Sequence, residues 1–245
     1  MRITAKDIVI LHEDEDIIVC IKPAGVPCQP DKSHDADMLN MLMSRVAEND
    51  RKHGLRRKLP DIYPVHRLDR PVGGVMVYAK SQKAAAALGN QFKEHTNDKR
   101  YYCVVTGYRG NGTGHTCGLL TDYIKKLPYE NTSVKTTASD DDGERAELNY
   151  KLLDTKEISG DVCSLIDVEL YTGRHHQIRL QMTDISDGIW GDTKYNRAFA
   201  ERKGWYDVAL FSYELAFDHP ATGRRVSYRV SPTSSIFGYF NLSGD

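Results

Sequence analysis

The stretch AELNYKLLDTKEISGDVCSLIDVEL, residues 146–170, contains two apolar runs that are typical of β-strands. No helical pattern separates the run at 146–154 from the run at 162–170. Further strand-like runs occur at 8–11, 17–21, 75–79, 101–108, 208–217 and 226–230. Because strands outnumber helices and do not alternate regularly with them, we expect an α+β fold with a mainly antiparallel sheet, not a Rossmann arrangement.

Helical spacing of apolar residues is confined to a few stretches. Residues 36–48 and 81–95 show it, and Ser81 is a natural N-cap for the second. A third helix is expected to begin near Gly173 and to carry HHQIRLQM. Since no repeat, low-complexity tract or proline-rich linker divides the chain, we expect one domain over residues 1–245.

The composition excludes several classes of protein. The chain has 245 residues, of which 40% are hydrophobic and 27% charged, as in ordinary globular domains. It has no apolar stretch of membrane-spanning length, and acidic residues come too early at the N-terminus for a secretory signal. Five cysteines form no CxxC pair, which disfavours a disulfide scaffold or zinc finger and predicts a reducing, cytoplasmic location.

Charge is unevenly distributed along the chain, although the net charge is only -1. Residues 51–109 carry thirteen Lys and Arg against four Asp and Glu, whereas the segments on both sides are acidic. Such a basic segment is expected where one face of a protein meets a polyanion. Its densest part, RKHGLRRK at 51–58, is either a phosphate-binding element or a solvated loop.

Two segments place polar or aromatic groups beside strands and turns. In YPVHRLDRPVGGVMVYAK, residues 63–80, Asp69 lies in a loop before a strong strand, where it either faces a cleft or caps the turn. In KRYYCVVTGY, residues 99–108, Tyr101 and Tyr102 must point to opposite faces of a strand. Only one of these two tyrosines is therefore available to any given pocket.

A third segment, LYTGRHHQIRLQM at residues 170–182, combines a glycine, an arginine and two adjacent histidines. In a helix that begins at Arg174, Arg179 lies one turn after His175, and the adjacent His175 and His176 point to different faces. The two histidines then cannot bind one metal as an i,i+4 pair, and we expect no metal site.

Taken in order, HRLDRPVGG at 66–74, KRYYCVVTG at 99–107 and TGRHHQIRLQM at 172–182 resemble the three signature stretches of the RluA-type RNA pseudouridine synthases. The resemblance extends to IIVCIKPAGVP at 17–27, GDTKYN at 191–196 and LFSYELAFDHPATG at 210–223. It implies the pseudouridine synthase catalytic fold, with a mainly antiparallel mixed sheet flanked by helices and loops. It also implies isomerisation of uridine to pseudouridine in RNA, without metal or organic cofactor.

The resemblance assigns catalytic roles to three residues. Asp69 is implied as the catalytic carboxylate, which either attacks C6 of the uracil or abstracts a ribose proton. Arg179 is implied as the guanidinium that binds this carboxylate through two parallel hydrogen bonds. Tyr101 is implied to pack against the uracil, with or without a part in removing the C5 proton; an ordinary tyrosine pKa of about 10 favours stacking.

Other residues are implied to contact the RNA. Arg67 resembles the arginine that enters the space left by the flipped base. Arg174, Gln177 and the run at 51–58 are candidate RNA contacts, although helix capping and packing is the alternative for Arg174 and Gln177. The expected partner is a ribosomal RNA or a tRNA stem-loop, bound by a monomer with no membrane and no obligate protein partner.

The chain departs from the family pattern at several positions. Val72 and Gly73 replace the usual Thr-Ser, His175 replaces a threonine, and Asn196 replaces a glycine. We also expect no N-terminal S4-like module, so RNA choice is expected to rest on the catalytic domain and its insertions.

Two other functions are considered. The first is a catalytically inactive RNA-binding or RNA-folding module of the same fold; retention of Asp69, Tyr101 and Arg179 argues against it. The second is a metal-dependent nuclease using His175 and His176, but its acidic candidate, DDDGE at 140–144, is typical of a solvated loop.

Overall fold

The structure, a computed structural model, describes residues 3–54, 61–110 and 116–242. The described residues form four α-helices: α1 (Met38–Lys52), α2 (Gln82–Glu94), α3 (Gln177–Ile185) and α4 (Arg197–Glu201). They form twelve strands: β1 (Ile10–Glu13), β2 (Ile17–Lys22), β3 (Tyr63–Pro64), β4 (Gly73–Ala79), β5 (Asp98–Thr106), β6 (Cys117–Leu127), β7 (Thr132–Thr136), β8 (Glu144–Ile158), β9 (Asp161–Leu170), β10 (Gly188–Ile189), β11 (Leu210–Asp218) and β12 (Arg225–Arg229). None of these helices is both long and apolar enough to cross a membrane.

The chain divides into two compact units. The first consists of Met1–Asn97 with Glu214–Val230, and the second of Asp98–Tyr213 with Ser231–Asp245. Strand β11 therefore begins in the second unit and ends in the first. The single domain over residues 1–245 stays a prediction.

In the first unit, β2 pairs with β1 and β4, and β11 pairs with β12, all antiparallel. Alternate residues of a strand face the same side of the sheet. The residues of β2 and β4 that face α2 pack with α2 and β11 to form the core of the first unit. This core consists of Ile17, Val19, Val75, Val77, Ala79, Ala84, Leu88, Leu215 and Phe217. The hydroxyl of Ser81 accepts a hydrogen bond from the backbone N–H of Ala84 at 3.1 Å, which confirms the predicted N-cap.

In the second unit, β9 pairs antiparallel with both β5 and β8, and β8 continues the ladder through β6 to β7. The runs at 146–154 and 162–170 form the β8–β9 hairpin, closed by Ser159 and Gly160. Both turn residues have positive φ, 54° and 85°, as a tight two-residue hairpin turn requires. The antiparallel α+β fold is confirmed.

The third helix begins at Gln177, so the prediction of a start near Gly173 is wrong. His176 has a φ of 56°, and a left-handed residue cannot continue a right-handed helix toward Arg174. Strands β6 and β7 were not predicted, because β6 is half exposed and mixes a glycine and charged residues with its apolar ones. Residues 55–58 of the basic run lie outside the described residues.

Candidate active site

Asp69 lies half buried in the loop between β3 and β4 of the first unit. The preceding Leu68 is 7% exposed, and its N–H and carbonyl both hydrogen-bond the thiol of Cys28, at 3.3 and 3.1 Å. After the loop, Val72 donates its N–H to the carbonyl of Asp69 at 2.9 Å. The side chain of Val72 is 2% exposed, so apolar packing holds the position where the family commonly has a hydroxyl.

His66 attaches the same loop to the sheet. Its Nε2 accepts the N–H of Val77 at 3.1 Å, and its ring stacks on Phe92 with the centroids 4.4 Å apart. An Nε2 that accepts a hydrogen bond carries no proton. These contacts are those of a residue that orders the loop.

Lys22, at the end of β2, is a buried cation near Asp69 that the sequence analysis did not single out. Its ammonium is fully buried and donates to the carbonyls of Pro23, Val26 and Arg70 at 3.0, 2.6 and 3.0 Å. Burial lowers the pKa of Lys22 to about 8, and the negative charge of Asp69 acts in the opposite direction. Lys22 thus places a positive charge near the carboxylate of Asp69. Its hydrogen bond to the carbonyl of Arg70 holds the backbone just after Asp69.

The two arginines that flank this loop differ in their environment. Arg70 is tied down, because its Nε donates to the carbonyl of Gly25 at 3.0 Å and its guanidinium pairs with Asp35. Arg67 is exposed and makes no ion pair within the described residues. Its placement is compatible with the predicted contact to RNA.

Tyr101 and Tyr102 lie on β5 in the second unit, where Tyr101 is opposite Val168 of β9. Tyr101 is 7% exposed. Tyr102 stacks on Tyr213 at a centroid distance of 3.9 Å, and the Tyr213 hydroxyl donates to Asp167 at 3.0 Å. Tyr102 is therefore committed to packing on one strand face, and Tyr101 is the candidate on the other.

Arg179, on the first turns of α3, is buried in the second unit and held by Asp192. Its Nε lies 2.7 Å from Oδ2 of Asp192, and its Nη2 lies 2.8 Å from Oδ1. The guanidinium also lies over the ring of Tyr195, 5.4 Å from its centroid. A bidentate pair of this kind fixes the plane of the guanidinium. Asp192 belongs to the quoted GDTKYN stretch, but the sequence did not indicate this partner.

His176 and Tyr195 connect this region to the β6–β7 hairpin. The hydroxyl of Tyr195 accepts the N–H of Ser133 at 2.7 Å and lies 2.9 Å from Nδ1 of His176. The prediction that His175 and His176 point to different faces of a helix is wrong. They precede α3, and the left-handed backbone at His176 lets their rings stack at 3.8 Å.

Gln177 and Arg174 order the loop before α3. Gln177 is 3% exposed; its Oε1 accepts from the Thr172 hydroxyl at 2.7 Å and from the Arg174 N–H at 3.0 Å. The guanidinium of Arg174 donates to Glu144 at 2.8 Å and to the carbonyl of Arg145 at 2.9 Å. The packing role considered for Gln177 is therefore present, and its contact with RNA stays a prediction.

One cluster in the first unit, His12, Asp14 and His219, has the residue types of a metal site. Nε2 of each histidine lies 2.9 Å from Oδ2 of Asp14. However, Nδ1 of His219 accepts the N–H groups of Ala221 and Thr222 at 3.3 and 3.4 Å. The proton of His219 is therefore on Nε2, which donates to Asp14. This arrangement fits a hydrogen-bonded structural contact better than metal ligation.

The family description RNA pseudouridylate synthase matches residues 16–184, a span that contains Asp69, Tyr101 and Arg179. This chain belongs to the RNA pseudouridylate synthase family, a class of RNA-modifying enzymes, and its signature stretches are of the RluA type.

Particular relatives come from bacteria. The ribosomal large subunit pseudouridine synthase D of Zymomonas mobilis is 31% identical over 227 residues, which cover 89% of this chain and 67% of that protein. The tRNA pseudouridine synthase C of Haemophilus ducreyi is 27% identical over 226 residues, covering 89% and 88%. In fold, the chain resembles human RNA pseudouridylate synthase domain containing 4, with a TM-score of 0.73, 21% identity and coverage of 96% and 93%.

Proposed function

We propose that this protein converts uridine to pseudouridine in a structured RNA, with Asp69 as the catalytic carboxylate. The observation that carries the proposal is the rigid setting of Asp69 in the HRLD loop. Cys28 holds the residue before it, Lys22 holds the carbonyl after it, and His66 attaches the loop to β4. A carboxylate carried by a backbone that is held before and after it is suited to chemistry that needs accurate placement.

The reaction is an isomerisation in which atoms balance within the substrate. The N1–C1′ bond breaks, a C5–C1′ bond forms, C5 loses a proton and N1 gains one. Asp69 acts either on C6 of the uracil or on a ribose proton, and both routes need the ionised carboxylate. The buried charge of Lys22 favours that form.

The remaining roles follow from the sequence resemblance and from the environments of the residues. Arg179 is the carboxylate's guanidinium partner, oriented by Asp192. Tyr101 packs against the uracil. Arg67 enters the space that the flipped base leaves. Flipping the base costs a few kcal/mol of lost stacking. Arg174, Gln177 and the basic run at 51–58 contact the RNA.

The substrate is proposed to be ribosomal RNA or tRNA, since the named relatives include a ribosomal large subunit enzyme and a tRNA enzyme. The protein is proposed to act in the cytoplasm as a monomer, without metal or organic cofactor. Light scattering of the protein with and without RNA tests the monomer.

Tritium release from RNA labelled at C5 of uridine tests this function. Total tRNA and deproteinised ribosomal RNA are assayed separately with chelator present, comparing wild type with Asp69→Asn and with Asp61→Asn, an exposed control. We expect release by wild type and Asp61→Asn but none by Asp69→Asn. RNA binding by wild type without release from either pool would contradict catalysis and support the RNA-binding module.

A further inference from the structure

Lys99, the second residue of β5, is a buried lysine that has no ion pair and no side-chain hydrogen bond among the described residues. It is 7% exposed. Lys22, the other buried lysine among them, donates to three carbonyls. A buried charge normally costs several kcal/mol unless it is paired or hydrogen-bonded. Among the described residues, no carboxylate or carbonyl compensates the charge of Lys99, so its ammonium is left to solvent or to a ligand.

Arg174 adds a second positive charge next to Lys99. Arg100 of β5 is opposite Glu169 of β9, so Lys99 lies beside the end of β9, where the loop that carries Arg174 begins. Burial and the charge of Arg174 together lower the pKa of Lys99 to about 8. Glu144 and a backbone carbonyl hold Arg174 in place, so the two cations cannot simply move apart.

Lys99 also shares a strand face with Tyr101. Side chains two residues apart in a strand point to the same side, and both of these are buried. Arg100 and Tyr102 lie on the opposite face, where Asp167 pairs with Arg100. The carboxylate of Asp167, which pairs with Arg100, is therefore on the side of the strand away from Lys99.

Two neighbouring cations on the face of the proposed uracil-stacking residue call for an anion from outside the protein. RNA supplies one phosphate for every nucleotide, and such contacts fix the register of a nucleic acid on a protein. We propose that Lys99 and Arg174 together bind a backbone phosphate of the RNA next to the nucleotide held against Tyr101. This inference rests on the proposed function, because it takes RNA as the substrate.

The site explains the placement of an otherwise costly lysine. Arg174 already pairs with Glu144, so the bound phosphate supplies the counterion that Lys99 lacks and a further acceptor for Arg174. A lysine that served only to support the fold would instead have an acceptor, as Lys22 has. Removal of the Lys99 charge should consequently weaken RNA binding without weakening the fold.

Lys99→Met tests this, with Lys126→Met as the control, because Lys126 is an exposed lysine of the same unit. For Lys99→Met we expect RNA affinity to fall about tenfold or more, and the slope of log affinity against log salt to become shallower by about one. Its melting temperature should equal or exceed that of wild type. Lys99→Arg should restore most of the affinity, and Lys126→Met should change it little.

Replacing single RNA phosphates by neutral methylphosphonates identifies the phosphate that Lys99 and Arg174 bind. In a substrate stem-loop, single methylphosphonates are placed in turn around the target uridine, and one of them should weaken binding by wild type but not by Lys99→Met. Thermal shifts with inorganic phosphate form a separate arm. A phosphate-dependent shift that Lys99→Met loses, combined with no sensitive linkage, would overturn the RNA assignment in favour of a free-phosphate site.

Three further outcomes would overturn the phosphate site, alone or together with the proposed function. Unchanged affinity and salt slope in Lys99→Met, with wild-type tritium release intact, would overturn the phosphate site and leave the proposed function standing. A large drop in melting temperature would show that Lys99 supports the fold. Absence of both RNA binding and tritium release in wild type would overturn the proposed function and this inference together.

Discussion

Arg179 and Asp192 form a bidentate ion pair inside the second unit, with side chains that are 4% and 0% exposed. The ring of Tyr195 lies beside the guanidinium, and the N–H of Lys194 donates to Oδ1 of the same aspartate at 2.9 Å. The pair therefore fixes the plane of the buried guanidinium that we propose as the partner of the catalytic carboxylate.

Asp192→Asn should destabilise the protein and lower its activity together. The substitution leaves the Arg179 charge buried without its counterion, and breaking such a pair costs about 3–5 kcal/mol. Urea unfolding and tritium release measure the two effects. Asp187→Asn is the control, because its ion pair with Arg109 is exposed and should be worth about 1 kcal/mol or less. Wild-type stability in Asp192→Asn would show that the pair does not hold Arg179.

Arg179→Lys should abolish most of the activity although it keeps the charge. An ammonium cannot make two parallel hydrogen bonds in the plane of a carboxylate, so the pair with Asp192 would lose its geometry and the proposed pairing with Asp69 would lose its fork. Single-turnover pseudouridine formation at saturating RNA measures the effect on chemistry. Turnover at the wild-type rate would remove Arg179 from the proposed mechanism.

Tyr101→Phe should retain much of the rate if the ring only stacks on the uracil, which is the role we expect. The phenyl ring keeps the stacking surface and loses the hydroxyl. Rate and RNA affinity are measured separately. A large loss of rate with unchanged affinity would instead identify the hydroxyl as part of C5 proton removal.

Lys22→Met should destabilise the first unit, in contrast to Lys99→Met. The carbonyls of Pro23, Val26 and Arg70 would lose their donor, and each hydrogen bond from a charged group contributes about 1.5–3 kcal/mol. Urea unfolding of both variants under one set of conditions makes the comparison. Equal effects of the two substitutions would contradict a difference between Lys22, whose ammonium has three carbonyl acceptors, and Lys99, which has none among the described residues.

The free energy of unfolding should depend on pH through Lys99. Its pKa is about 8 in the folded protein and about 10.5 ordinarily, so between these values the unfolded chain binds more protons. Wild-type stability therefore gains from rising pH in this window, and the gain is absent in Lys99→Met. We expect the stability advantage of Lys99→Met to shrink from pH 8 to pH 10. A constant difference would contradict the buried, charged state of Lys99.

Features encoded in a local pattern could be predicted from the sequence. The strands of the β8–β9 hairpin carry runs of strand-forming residues, and Ser81 is an N-cap of the preferred type. The start of α3 could not be predicted, because a left-handed His176 has no signature in the residue type. Lys99 could not be predicted for a different reason: Arg174 is distant from it in sequence, and the lack of a counterion among the described residues is evident only from the three-dimensional arrangement.

The hydroxyl of Tyr195 attaches the β6–β7 hairpin to the start of α3, the helix that carries Arg179. It fastens the strand at Ser133 to His176, three residues before Arg179. The hairpin tip at residues 128–130 lies beyond this fastening. Changes in the length or charge of the tip should therefore leave the guanidinium of Arg179 in place.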